Sequence, residues 1–226
     1  MEACANGRIE KICFNACMSK EIDGMLQNME NQDGIDIRNG CHNIIISDIT
    51  GRTGDDLIAL TAIANENVGF VPGGSFRTTH VMHNDWTKRD KNIHDIIIRN
   101  VMGYSQLCYL IRLLPSNSRI WNVVIDGVVD TSPDDLEAHG GLLLGDFGLY
   151  GINLPDSMRN ISISNIICNR PNAILVEGWL SDSVITNVTN LKKNCPAVIV
   201  SRPNGIKNVK MSNLNAVEAE PYKEKQ

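Results

Sequence analysis

The chain has 226 residues and a formal net charge of −5, from 21 Lys and Arg against 26 Asp and Glu, with 42% hydrophobic and 21% charged residues. These proportions are typical of one globular domain and exclude a disordered chain. They also argue against a nucleic-acid partner, which needs clustered Lys and Arg, and against a membrane protein, because no apolar run approaches the roughly 18 residues of a spanning helix.

The first residues and the cysteines bear on the cellular compartment. Residues 1–6 contain neither a basic region nor an apolar stretch, so we expect no secretory signal there. The seven cysteines are an odd number spread along the chain, which indicates reduced thiols rather than a disulfide framework. We therefore expect a cytoplasmic protein, or an extracellular one if further residues precede Met1.

Six segments share one short pattern: a turn residue, three strand-forming residues, two small or polar residues, and then an apolar one. Their openings lie between 22 and 52 residues apart, and offsets near the low twenties define one coil, meaning one turn of a chain that stacks on itself. The segments open, in chain order, at Asn43, Asp95, Asn122, Asn160, Asp182 and Asn208.

Alternation within each segment predicts strands rather than helices. Apolar residues such as Ile44 and Ile46 lie two apart, and side chains two apart on a strand share one face. The Asn and Asp residues at the openings suit corners with a left-handed backbone. A second strand is predicted in most repeats, over residues 57–60, 109–112, 142–144, 174–176 and 198–200.

The repeats predict an all-β fold, a right-handed single-stranded parallel β-helix, as one domain over residues 1–226. A β-sandwich is less favoured, because only Asn39-Gly40 and Asn204-Gly205 offer the turn signals of antiparallel hairpins. Few strand signals occur over about 65–92, which predicts a long loop across one face. Residues of about 218–226 form a charged tail at which the stack can end.

The two ends of such a stack expose apolar cross-sections unless something covers them. Residues 8–14 already have the pattern of a coil strand, and no amphipathic helix precedes them. Two explanations are open. Either the N-terminal coil packs against another subunit in a homo-oligomer, or the chain is N-terminally shortened and lacks upstream coils.

Acidic residues gather at two points that are one coil apart. Asp33 lies in the run Asn31-Gln32-Asp33-Gly34, and 22 residues separate it from Asp55 of the run Gly54-Asp55-Asp56. On stacked coils the three carboxyl groups converge and favour a shared proton, which suits acid/base hydrolysis of a glycosidic bond. Neighbouring strand residues point to opposite faces, so Asp55 and Asp56 cooperate only at a bulge or turn, which Gly54 permits.

The simpler interpretation of these runs is also open: Asp-Gly and Gly-Asp steps can be corner residues with no chemical role. The pair Asp134-Asp135 is a control for the argument from two acidic runs one coil apart. That pair follows Pro133 in a polar stretch and has no matching Asp one coil away, so we expect a solvated turn there.

The two acidic motifs and their spacing resemble the paired signatures of glycoside hydrolase family 28, the polygalacturonases and their relatives. The resemblance is clear over about Asn6 to Thr61. In the residues that follow, it consists of the repeated strand pattern alone. It implies a pectin-lyase-like, right-handed parallel β-helix that hydrolyses galacturonan-type polysaccharides with inversion. It also implies that Asp55 is the general acid, that Asp33 and Asp56 hold and deprotonate the attacking water, and that Asn31 positions the carboxylates or the substrate.

Three further residues are candidates for substrate binding. Arg112 corresponds to the Arg of the family's Arg-x-Lys, which grips a substrate carboxylate, although Leu114 stands in place of the Lys. It either binds an anion or pairs with an Asp of the next coil. The family's Gly-His-Gly has no counterpart one coil beyond the Asp pair, where Arg77 and His80 stand instead. Arg77 either binds acidic sugar groups or neutralises the Asp cluster.

Three functions are therefore open. The first is polygalacturonase-like hydrolysis of an acidic or pectic oligosaccharide, with no cofactor and no metal. The second is a non-catalytic carbohydrate-binding or degenerate β-helix that keeps the Asp cluster as a scaffold. The third is a Ca²⁺-dependent polysaccharide lyase, in which the carboxylates hold the ion and Arg112 or Arg77 abstracts a proton. In each case we expect an oligosaccharide or polysaccharide partner and neither a nucleic acid nor a membrane.

Overall fold

The computed structural model describes residues 1–28, 31–63, 68–71, 74–76, 90–136, 138–146 and 154–225. Within these ranges the chain is almost entirely β-structure, and the helical content is one 3-10 turn over Pro203–Gly205. Across the same ranges, no helix has the length and apolar character needed to cross a membrane.

Seven strands form a first sheet in which every neighbouring pair is parallel and the strand order follows the chain. These strands carry the six repeated segments, preceded by one more strand near the N-terminus. They are β1 (Ala5–Ala16), β5 (His42–Thr53), β9 (Ile93–Ser105), β11 (Ile120–Asp130), β13 (Met158–Cys168), β15 (Leu180–Asn190) and β17 (Ile206–Ala216).

Seven shorter strands form a second parallel sheet, again in chain order. They are β4 (Ile35–Arg38), β6 (Ile58–Ile63), β10 (Tyr109–Ser116), β12 (Gly140–Leu144), β14 (Ile174–Val176), β16 (Val198–Val200) and β18 (Tyr222–Glu224). The five second strands predicted from the repeats are confirmed. Because the chain alternates between the sheets and advances by one strand each time, residues one repeat apart become neighbours.

The two sheets share one apolar core. In the second sheet, Ile58 pairs with Ile35 on one side and Ile111 on the other, and all three are buried. In the first sheet, Ile46 pairs with Ile98 in the same way. Alternate residues point away from the core, which explains the period of two in the sequence.

The repeated Asn and Asp residues form corners with a left-handed backbone, as the sequence predicts. All six opening residues have φ between 48° and 57°. Their side chains also bind one another from strand to strand. Asn122 donates to Asp95 at 2.8 Å, and Asn160 donates to Asn122 at 3.1 Å. Such ladders satisfy the polar groups and hold neighbouring strands in register.

The described residues also include two antiparallel hairpins that are separate from the two parallel sheets. One consists of β2 (Ser19–Ile22) and β3 (Met25–Asn28), joined by Asp23-Gly24 with both residues at positive φ. The other consists of β7 (Val68–Val71) and β8 (Gly74–Phe76), inside the stretch predicted as a long loop. Sequence analysis passed over Asp23-Gly24, although Asp-Gly is a strong signal for this turn. It also placed no strand in the charged tail, where β18 pairs with β16.

The seven cysteines are free thiols, as the sequence indicates. Cys41 and Cys168 are buried, whereas the other five are partly or fully exposed.

Candidate functional site

A cleft of about 60 Å³ opens on the second sheet at the end that begins with β4. We call it the acidic cleft, because four Asp side chains line it together with two Arg. Its charged and amide residues are Asn31, Asp33, Asp36, Arg38, Asp55, Asp56 and Arg112. The volume is far below the several hundred cubic ångströms of an enclosed ligand pocket, so a sugar would rest across the cleft rather than inside it.

The strand register brings Asp33 beside Asp56. The pairing of Ile35 with Ile58 continues outward from β4 and β6, because the Gly34 amide donates to the Asp56 carbonyl at 2.9 Å. One position further out, the Asp55 amide donates to the Gln32 carbonyl at 3.2 Å. The one-coil spacing of the two motifs therefore corresponds to direct backbone contact.

Two glycines permit this close contact. A Cβ on Gly34 would lie 2.5 Å from the Leu57 carbonyl oxygen, and one on Gly54 would lie 2.9 Å from the Gln32 side chain. The chain bends at Gly54 and Asp55, between β5 and β6. Because of this bend, Asp55 and Asp56 both line the cleft instead of facing opposite sides, as a regular strand would require.

Asp56 is the most buried carboxyl group of the three, with 4% of the residue exposed. The Tyr109 amide donates to its Oδ1 at 3.0 Å, and Arg112 Nη1 lies 3.5 Å from its Oδ2. Burial raises the pKa of Asp56 to about 6, while the Arg112 charge and the Tyr109 amide act in the opposite direction. Arg112 therefore pairs with an Asp, which is one of the two roles considered for it, but Asp56 precedes β6 on the preceding repeat and not on the next one.

Asp33 holds its proton more firmly still. Burial, followed by the negative charges of Asp36, Asp55 and Asp56, raises the pKa of Asp33 to about 7. Arg38 opposes this rise, although its guanidinium is engaged with Asp36 through contacts of 3.0 and 3.1 Å. Both carboxyl groups therefore hold a proton at a higher pH than a free Asp does, so the cleft can keep a proton closer to neutral pH.

Cys108 completes the group around Asp55. The carboxylate oxygens of Asp55 and Asp56 and the Cys108 sulfur all lie within 4.8 Å of one another, and Asp55 Oδ1 accepts from the Asp56 amide at 2.9 Å. Burial and the adjacent carboxylates raise the pKa of the Cys108 thiol. Two carboxylates and a thiolate would suit a borderline-soft divalent ion better than Ca²⁺, which takes oxygen ligands. A thiol kept protonated and a guanidinium beside Asp56 both oppose metal binding.

The structure brings five of the seven candidate residues to this one cleft: Asn31, Asp33, Asp55, Asp56 and Arg112. Arg77 and His80 lie outside the described residues. Asn31 is exposed at the rim and has a left-handed backbone, with φ of 52°. Asp134 and Asp135 lie in an exposed turn, as predicted for that comparison pair.

Sequence reasoning missed three residues of the site. Asp36 and Arg38 alternate with the buried Ile35 and Ile37. This period of two is a signal from which their position on the outer face could have been predicted. Cys108 carried no such signal. Its position beside Asp55 follows from the register of Ile58 with Ile111, a separation of 53 residues that includes a long insertion.

The arrangement suits proton transfer to or from a polar bond, because it combines several carboxyl groups, two of them with raised pKa values, and a guanidinium in one open cleft. Comparisons of the chain with protein-family models, with curated proteins and with solved structures find no match.

Proposed function

We propose that the protein is a polygalacturonase-like glycoside hydrolase that cleaves an acidic or pectic oligosaccharide by inverting acid/base hydrolysis. One observation carries the proposal: Asp33, Asp55 and Asp56 line one cleft, and two of them have raised pKa values. Buried carboxyl groups of this kind concentrate at catalytic sites. The resemblance of the two Asp motifs to glycoside hydrolase family 28 supplies the reaction type.

The proposed architecture is a right-handed parallel β-helix with the two parallel sheets as two of its walls. The alternation of the chain between the sheets supports it, since each pair of crossings then makes one coil. The ladders of Asn and Asp at the corners also support it, because identical residues stack only when successive coils lie in register.

The proposed reaction is a single displacement. Asp55 gives its proton to the glycosidic oxygen as the C–O bond breaks, and a water molecule held by Asp33 and Asp56 attacks the anomeric carbon. The proton of that water passes to Asp56, which is ionised above its pKa of about 6. Asn31 and Arg112 would orient the sugar, and the resemblance adds Arg77 and His80 to this role.

The decisive experiment measures reducing-sugar release from pectic oligosaccharides. We expect Asp55→Asn to lower the rate by about 10²- to 10⁴-fold, the usual contribution of a positioned acid. Asp135→Asn is the matched control, because it makes the same change in an exposed turn and should leave the rate unaltered. Equal background release by the wild type and Asp55→Asn across the panel would favour the non-catalytic alternative.

The assignment of the acid is tested separately, because the pKa of about 7 makes Asp33 its competitor. A substrate with an aryl leaving group of low pKa needs no proton from the enzyme. We expect Asp55→Asn to recover activity on such a substrate and Asp33→Asn to stay impaired. The opposite pattern would transfer the acid role to Asp33.

The product distinguishes hydrolysis from the lyase alternative. A lyase forms an unsaturated sugar that absorbs in the ultraviolet and depends on Ca²⁺. Absorbance that grows during the reaction and disappears with EDTA would replace the hydrolase proposal with a lyase.

A further inference from the structure

Cys4 and Cys41 lie side by side where the first two strands of the first sheet begin. Ala5 of β1 pairs with His42 of β5, and each cysteine immediately precedes one of these two residues. The parallel pairing extends to the cysteines, because the His42 amide donates to the Cys4 carbonyl at 3.1 Å. Residues paired in this way have Cα atoms about 4.8 Å apart, inside the range of about 4.4–6.8 Å that a disulfide spans.

The side chains of the two cysteines meet as well as their backbones. Cys41 Sγ accepts a hydrogen bond from the Cys4 amide at 3.4 Å. The sulfur of Cys4 is separated from that amide nitrogen by Cα and Cβ alone, and it donates to the Glu2 carbonyl at 3.2 Å. Rotation about the Cα–Cβ bond moves a cysteine sulfur between staggered positions, two of which lie beside its own nitrogen. Exchanging the Glu2 contact for a bond to Cys41 is therefore a local change of side chain.

The two thiols differ in their access to solvent. Cys4 is partly exposed, whereas Cys41 is buried. Burial also raises the pKa of the Cys41 thiol. Because the thiolate is the form that attacks a disulfide, the Cys4 thiol should react first with an oxidant in solution and the Cys41 thiol second.

We propose that Cys4 and Cys41 form a reversible disulfide when the protein meets a small disulfide oxidant such as glutathione disulfide. The Cys4 thiolate attacks one sulfur of the oxidant, so that a mixed disulfide forms and one glutathione thiolate leaves. The Cys41 sulfur then gives up its proton and attacks the Cys4 sulfur, which expels the second glutathione. Two protein thiols are oxidised to one disulfide, and the oxidant is reduced to two glutathione thiols, which take up the two protons.

The disulfide would fasten residues 1–4 to the edge of the second sheet. The Arg38 amide of β4 donates to the Met1 carbonyl at 2.8 Å, and the Ala3 amide donates to the Asn39 carbonyl at 2.9 Å. The proposed bond adds a covalent link directly after Ala3, so this edge should open less often. The same strand supplies Arg38 to the acidic cleft, but the inference does not depend on what the cleft does.

Peptide mapping by mass spectrometry tests the link in the full-length chain, before and after incubation with glutathione disulfide. We expect peptides joined through Cys4 and Cys41 in most of the oxidised chains, and their separation after dithiothreitol. Cys13 is the matched control, because it is exposed on β1 and pairs with Thr50 rather than with a cysteine. It should take up glutathione without joining Cys4 or Cys41.

Two serine variants test the order of the steps. Cys41→Ser removes the second thiol, so Cys4 should retain glutathione as a mixed disulfide. Cys4→Ser leaves the buried Cys41 alone, and Cys41 should remain a free thiol. Circular dichroism confirms that each variant is folded. A wild type that keeps glutathione on Cys4 without a linked peptide would overturn the proposal, and so would a link from Cys4 to any other cysteine.

Hydrogen exchange in the same samples measures the effect on the sheet edge. We expect the Ala3 and Arg38 amides to exchange about tenfold more slowly in the oxidised chain, because the link holds the two segments together when their hydrogen bonds open. The Asn194 amide is the control, since it donates to the Val217 carbonyl at 2.9 Å near the other end of the sheets. Its exchange should not change. Unaltered exchange at Ala3 and Arg38 after the link has formed would contradict the effect on the edge.

Discussion

Asp33 illustrates the conflict between stability and chemistry at the level of one residue. Its carboxyl group is surrounded by Asp36, Asp55 and Asp56, and burial raises its pKa to about 7. Proteins retain such groups mainly where a proton must be held near neutral pH. The same environment makes the ionised form unfavourable, so the folded state should lose stability when the proton leaves.

The pH dependence of unfolding tests this residue. An unfolded Asp has a pKa of about 3.9, so the folded chain binds the Asp33 proton more tightly between about pH 4 and 7. Its contribution to stability is complete below pH 4 and is lost as the pH rises through 7. The substitution Asp33→Asn puts an amide at this position, and an amide stays neutral at every pH.

We therefore expect Asp33→Asn to stabilise the protein by about 1–2 kcal/mol near pH 8 and to match the wild type near pH 4, allowing for the partial exposure of the group. Thermal unfolding at the two pH values measures this, with Asp135→Asn as the exposed control. A variant that is less stable than the wild type near pH 8 would show that the Asp33 carboxylate is favourably paired.

The part of the site that depends on a single one-coil spacing could be predicted from the sequence. Asp33, Asp55 and Asp56 converge because the segments that carry them contain no insertion between β4 and β6. Cys108 could not be found in this way, because residues 64–89 intervene and hide the register. The Arg112 contact with Asp56 spans a similar separation of 56 residues along the chain, and sequence reasoning reached it only as one of two alternatives.

At the scale of the structural element, the corner residues determine how strands bend and stack. Asn187 has a φ of 54°, donates to Asn165 at 3.2 Å and accepts from Asn213 at 2.9 Å. Asn tolerates the left-handed backbone better than other residues with a Cβ, and its amide can both donate and accept. One side chain therefore relieves backbone strain and links three strands.

Substitutions of Asn187 separate these two effects. Asn187→Ala should cost about 2–3 kcal/mol, from the left-handed backbone and two lost hydrogen bonds. Asn187→Gly should cost less, because Gly adopts this backbone without strain. Denaturant unfolding measures both, and Ser162→Ala on the exposed face of β13 is the control. Equal losses for Ala and Gly would mean that the hydrogen bonds alone matter.

The elements that sequence reasoning missed lack the repeat on which it relied. The hairpin of β2 and β3 has an Asp-Gly turn and antiparallel pairing, and it lies outside the six repeated segments. Likewise, β18 has a charged sequence, Tyr-Lys-Glu, because its three residues are exposed at the last strand of the sheet. Burial, which produces the apolar alternation, is absent from both.

At the scale of the whole molecule, the two ends of the stacked sheets differ. The β1 end adds the hairpin of β2 and β3, where Met18, Met25 and Leu26 are 62–74% exposed. Ile12 and Phe14 of β1 are also only partly buried against the core. The β17 end also has partly buried apolar residues, Ile206, Val209, Met211 and Leu214, but it carries the exposed lysines Lys207 and Lys210. Strongly exposed apolar side chains at one hairpin are typical of a protein interface, which favours association of two copies through the hairpin at the β1 end.

Sedimentation velocity tests this association. We expect the wild type to form a dimer as its concentration rises, and Met25→Ser with Leu26→Ser to raise the dissociation constant about tenfold or more, from the apolar area that they remove. Ile97→Ser with Val124→Ser is the matched control, because these side chains are 37% and 40% exposed on the face of the first sheet, away from the hairpin. A wild type that stays monomeric at every concentration would contradict the dimer. An equal effect of the control pair would mean that association depends on general apolar exposure rather than on the β1 end.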